Sequence, residues 1–214
     1  MAGDGIDFAS LLCSRLCHDL LSPVGALNNG IELLTDEHDP EMRARCLALL
    51  AESARASANK LKFFRLAFGA AGGFGDSVDM REVRAAIEGL FGGDRRIQVG
   101  WMVGEAPLNK GTIKILLNLA LIAGDALVRG GRLDVGAEAN GGGLEIVVRA
   151  EGPRIVLDPE LRNALTGGTA MDALTPRAAA AYLVWNLAST RGGDMLIMEP
   201  EDGVLVLGAS LPVA

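Results

Sequence analysis

Between Phe8 and Leu34 the apolar residues Leu12, Leu16, Leu20, Val24, Leu27, Ile31 and Leu34 recur in steps of three and four. At about 100° per residue they fill one arc roughly 120° wide, the stripe of a helix with a single core-facing side. A polar turn follows, Thr35 to Pro40, with Asp39 placed to cap a second helix and Pro40 at its first position. His38 in this turn reads as a solvated loop residue. The second helix runs to about Phe68 with a seam of Leu47, Leu50, Ala54, Ser57, Leu61, Phe64 and Phe68, a coiled-coil-like alternation. Two such helices predict an antiparallel hairpin, Phe8 to Phe68, that cannot bury both its apolar edges. Pairing with a second copy in a four-helix bundle is the expected solution, and packing against the rest of the chain would also serve.

Gly69, Gly72, Gly73 and Gly75 cluster in a linker that is expected to separate a helical region, residues 1–69, from a second domain, residues 76–214. There Asp79 caps a helix through Phe91, Arg96–Val103 reads as a strand, and a long helix crosses Gly111–Val128. Arg132–Ala139 and Leu144–Ala150 alternate as a hairpin around Asn140, Gly141, Gly142 and Gly143. A helix over Thr175–Arg191, with Pro176 in its first turn, precedes a second hairpin, Met195–Met198 and Val204–Leu211, turning at Glu201, Asp202 and Gly203. The expected class is α+β, with helices on one face of a mostly antiparallel sheet.

Composition narrows the function. Half of the 214 residues are hydrophobic, enough for a sizeable core. The longest apolar run, around Ile113–Val128, is broken by Lys114, Asn118, Gly124 and Asp125, so it reads as a buried helix and no membrane association is expected. No charged-then-apolar leader opens the chain, which predicts a cytoplasmic location. A net charge of −7 argues against a nucleic-acid partner. Cys13, Cys17 and Cys46 lack metal-ligand spacing and are expected to be buried or partly buried thiols.

The candidate chemistry lies on the first helix. His18 points about 180° away from the stripe centre, among the small residues Ser14, Ser22 and Gly25, with Leu11 and Leu21 beside them. An accessible imidazole with small neighbours can be reached by a large partner. Asp19 follows directly, and Pro23 sits inside the helix, where proline costs about 3 kcal/mol or more. Cys17-His18-Asp19-Leu20-Leu21-Ser22-Pro23 resembles the H-box of two-component histidine kinases, His-Asp/Glu-Leu-x-x-Pro, whose His carries a phosphoryl group.

Residues 76–214 resemble the kinases' ATP-binding domain, the Bergerat fold, most clearly at Leu116–Leu127. Where the kinases place the Asn that holds Mg²⁺, this chain has Ile122, which offers no oxygen to a hard cation. Asn118, one turn earlier, is expected to face a polar edge or cap a neighbour. In the adenine-reading Asp-x-Gly-x-Gly box, Ala150 replaces the Asp, Gly152 survives and Arg154 replaces the second Gly. The glycine-rich lid is replaced by Leu174-Thr175-Pro176-Arg177-Ala178.

An H-box bundle joined to a degenerate kinase-like domain is similar, across essentially the whole chain, to the histidine phosphotransferases of alphaproteobacterial phosphorelays. That resemblance implies that His18 takes a phosphoryl group from a receiver-domain aspartyl phosphate and passes it to another receiver, without ATP-dependent kinase activity. Asp19 would orient the imidazole, and Leu11, Ser14, Arg15, Leu21, Ser22 and Gly25 would meet the partner. It further implies a homodimer, no cofactor or metal in this chain, Mg²⁺ on the receiver, and as partners a hybrid histidine kinase's receiver domain and downstream response regulators. Two other readings remain at this point: a histidine kinase with an unusual nucleotide site, which ATP binding would reveal, and a non-catalytic dimeric adaptor.

Overall fold

The computed structural model describes residues 2–69, 78–92, 96–104 and 108–212. The hairpin consists of α1 (Ala2–Asp36) and α2 (Pro40–Phe68). Asp39 caps α2 by accepting from the Met42 N–H at 2.9 Å, and Pro40 occupies the first turn, where its missing N–H is harmless. His38 is exposed, as expected of a turn residue. Helix α1 begins about two turns before the expected start, and these turns have something to pack on. Phe8 stacks obliquely on Tyr182, ring centroids 5.4 Å apart, and Tyr182 meets Trp185 at the same distance.

The remaining elements are α3 (Met80–Phe91), β1 (Ile97–Val103), α4 (Lys110–Ala126), β2 (Gly131–Asn140), β3 (Gly143–Glu151), α5 (Pro159–Leu165), α6 (Ala179–Ser189), β4 (Asp194–Glu201) and β5 (Val204–Pro212). The strands form one sheet in the order β1-β2-β3-β5-β4. β1 runs parallel to β2, and the other pairs are antiparallel. Leu133, Val135, Ile146, Val148, Leu205 and Leu207 alternate inward from the sheet onto α4, which is buried along nearly its whole length. A helix apolar all round needs neighbours on every side, and the sheet, α2, α3 and α6 supply them. The class is α+β, and among the described residues no helix is long and apolar enough to cross a membrane.

Several expectations need correcting. The α2 seam divides into two adjacent stripes: Phe64 is buried in the α+β core with Phe63 and Ala67, whereas Leu47, Ala54 and Leu61 are exposed. The exposed residues Ala44, Leu47, Ala51, Ala54, Ala58 and Leu61 form the second stripe, in steps of three and four. Cys46 is buried, but Cys13 and Cys17 are exposed: they share a side of α1 with Val24 and Ile31, which were expected in the core-facing stripe and are themselves exposed. Helix α6 starts at Ala179, so Pro176 precedes it in a turn closed by the Ala178 N–H on the Thr175 carbonyl. Helix α5 was not expected. The linker residues 70–75 lie outside the described residues, while Gly69 ends α2.

Candidate functional site

His18 lies midway along α1 with its side chain 86% exposed. Ser14, Leu21 and Ser22 are also exposed, and a Cβ on Gly25 would meet nothing within 4 Å. These four surround the imidazole as the helical spacing predicts. Two other expected contact residues are placed differently. Leu11 is half-buried against the core, on the side of α1 that faces α6, and Arg15 turns inward to carboxylates.

Asp19 lies within hydrogen-bonding reach of the ring, with Oδ1 3.3 Å from His18 Nδ1. Its other oxygen, Oδ2, accepts from Arg15 Nε at 2.7 Å. Residues four apart on a helix stack on one face, which brings Arg15 and Asp19 together. Arg15 also donates to Asp125 of α4 at 3.0 Å and to the Arg177 carbonyl at 3.3 Å. Burial works against its charge, yet the hydrogen bonds and charges of Asp19 and Asp125 outweigh it and raise the guanidinium above its ordinary pKa.

Pro23 accounts for a further contact. In an uninterrupted helix the N–H of residue 23 would bond to the carbonyl of residue 19, and proline has no N–H to give. Lys60 of α2 fills that gap, its ammonium donating to the Asp19 carbonyl at 2.6 Å. The proline thus exposes an acceptor one turn before itself, and the partner helix takes it. Neither Lys60 nor Asp125 carries a signal near the H-box in sequence; they lie 41 and 106 residues beyond Asp19.

His18 and Asp19 form one wall of a cleft of about 1410 Å³ between the hairpin and the α+β part, with Ile122, Asp125, Thr175 and Arg177 opposite. Ile122 presents only carbon there. Ala150 is fully buried on β3, in register with Leu133 and Leu205, so an ionised side chain at that position would sit among leucines. Gly152 is held by packing: a Cβ would come within 2.6 Å of the Gly130 carbonyl oxygen and 2.9 Å of Leu127. Asn118 is also buried, and caps a neighbour by donating to the carbonyl of Ala67 near the end of α2 at 3.2 Å.

A model of the histidine phosphotransferase C-terminal domain matches residues 80–203. Over 187 residues the chain is 33% identical to protein phosphotransferase ChpT of Brucella abortus (strain 2308), covering 87% of this chain and 88% of that protein. The chain belongs to the ChpT-type histidine phosphotransferase family. A solved bacterial phosphotransferase shares 31% identity at a TM-score of 0.83, covering 95% of this chain and 96% of its own. In this family member, the cleft is lined by the accessible histidine of α1 together with Ile122, Asp125 and Arg177.

Proposed function

We propose that this protein relays a phosphoryl group between receiver-domain aspartates on His18, through a phosphohistidine, and does not phosphorylate itself from ATP. The observation that carries the reading is the exposed imidazole backed by Asp19, on a helix face kept open by Ser14, Ser22 and Gly25. The ring nitrogen distal to Asp19 attacks phosphorus, the bond from phosphorus to the donor's aspartate oxygen breaks, and that carboxylate leaves. The return step exchanges the roles, a second receiver's carboxylate attacking as the P–N bond breaks. Mg²⁺ belongs to the receiver, where it neutralises charge during in-line transfer.

The division of labour follows the chain. Residues 1–69 supply the phosphoryl carrier and the dimer, and residues 76–214 buttress the hairpin without supplying nucleotide chemistry. The homodimer is supported by the Ala44, Leu47, Ala51, Ala54, Ala58 and Leu61 stripe, whose spacing suits a bundle seam and which is left exposed among the described residues.

The test is transfer of label from a phosphorylated receiver domain. Wild-type protein is expected to take up the label and release it to a second receiver, while His18→Ala does neither. Transfer by His18→Ala at the wild-type rate would reject His18 as the carrier.

A further inference from the structure

Resting on His18 as the phosphoryl carrier, we infer that Arg15 and Asp125 are positioning residues for transfer, so that the kinase-like part completes the phosphotransfer site through a carboxylate on α4. The chain of contacts is continuous. Asp125 accepts from Arg15 at 3.0 Å, Arg15 Nε donates to Asp19 at 2.7 Å, and the other oxygen of Asp19 lies 3.3 Å from His18 Nδ1.

Each link limits the next. An aspartate side chain next to an exposed histidine could take several rotamers, only some of which put an oxygen on Nδ1. Arg15 occupies Oδ2 and leaves Oδ1 for the ring. Arg15 itself is long and flexible, and it is held at its far end by Asp125 and the Arg177 carbonyl, two groups the hairpin does not provide. With Nδ1–H donated to Asp19, the lone pair resides on Nε2, which faces outward to the receiver. When Nε2 takes the phosphoryl group the ring becomes cationic with Nδ1–H retained, and Asp19 stabilises that charge without receiving the proton. Arg15 keeps Asp19 aimed at the ring during both half-reactions. Asp125 also balances the Arg15 charge, which would otherwise face the incipient imidazolium across a shared carboxylate.

Asp125→Asn and Asp125→Glu, with Arg15→Met as a second probe, test this in the intact protein. Two readouts apply: kcat and KM for transfer from a phosphorylated receiver, and the His18 tautomer from long-range ¹H–¹⁵N correlation spectra. Asp125→Asn is expected to lower kcat about tenfold at unchanged KM, an order of magnitude in keeping with orientation effects. The His18 ring should shift from Nδ1–H toward a mixture of tautomers, and Asp125→Glu should recover most of both. Wild-type kcat in Asp125→Asn, or a lowered kcat with the His18 spectrum unchanged, would overturn the inference. If Arg15→Met fails to fold, the Asp125 pair alone decides. Loss of transfer in His18→Ala beside a silent Asp125→Asn would sink this inference and leave the carrier assignment standing, whereas transfer by His18→Ala would remove the carrier reading itself.

Discussion

His18 stabilises nothing that folding requires, and that makes it separable from its supports. With its side chain 86% exposed, its replacement by alanine is expected to change stability by no more than about 0.5 kcal/mol while abolishing transfer; thermal melts beside the label assay check both halves. Lys60 is the opposite case. It satisfies the carbonyl that Pro23 leaves without a donor, so Lys60→Met should destabilise the protein by about 1–2 kcal/mol, read as a lowered denaturation midpoint at constant slope. His18, Asp19 and the open positions Ser14, Ser22 and Gly25 were legible in sequence because they lie on one helix, where spacing alone sets direction. Arg15 was legible as a neighbour of the site but not as an inward-facing one. The groups that turn it, Asp125 and the Arg177 carbonyl, are brought by other elements.

Among elements, α2 is the most informative because its two stripes have different fates. Leu61 is 52% exposed and Phe64 is 3% exposed, although they lie one turn apart. Leu61→Asp should leave the monomer's stability within about 0.5 kcal/mol and dissociate the dimer. Light scattering would then fall from twice the 22.3 kDa chain mass to that mass. Phe64→Asp should instead unfold the chain, costing about 4 kcal/mol or more through lost packing and a buried charge. A wild-type monomer at micromolar concentration would refute the bundle. Helix α5 teaches a different lesson. Asp158 accepts from the Glu160 N–H at 2.9 Å and pairs with Arg177 at 2.8 Å, and Asp158-Pro159-Glu160 repeats the Asp39-Pro40-Glu41 start signal of α2. The signal was present, but seven residues are too few for hydrophobic periodicity to show. Asp158→Ala should cost about 1 kcal/mol from the lost cap, measurable by denaturant titration.

At the scale of the molecule, the positions that the resemblance to kinases would assign to nucleotide binding are taken up by apolar and packing residues. Ile122 lines the cleft with carbon, Ala150 fits between leucines, and Gly152 is required by its close approach to Gly130. Calorimetry with millimolar Mg-ATP is therefore expected to show no saturable heat; saturable binding together with labelling of His18 from ATP would restore the kinase reading. The same cleft is lined by Asp125 and His18, which are joined through Arg15 and Asp19.

The sequence by itself determined the longer elements and much of their layout: the caps at Asp39 and Asp79, the glycine turns and the outward direction of His18. These follow from rules that act within about one helical turn or one strand pair. Which stripe of α2 would enter the core, why Cys13 and Cys17 stay exposed, and what holds Arg15 were decided only by the tertiary structure. Helical periodicity fixes where a side chain points around its own axis, but not which element stands opposite. That is settled when α4 and α6 pack against the hairpin and bring Asp125 to Arg15, 110 residues away along the chain.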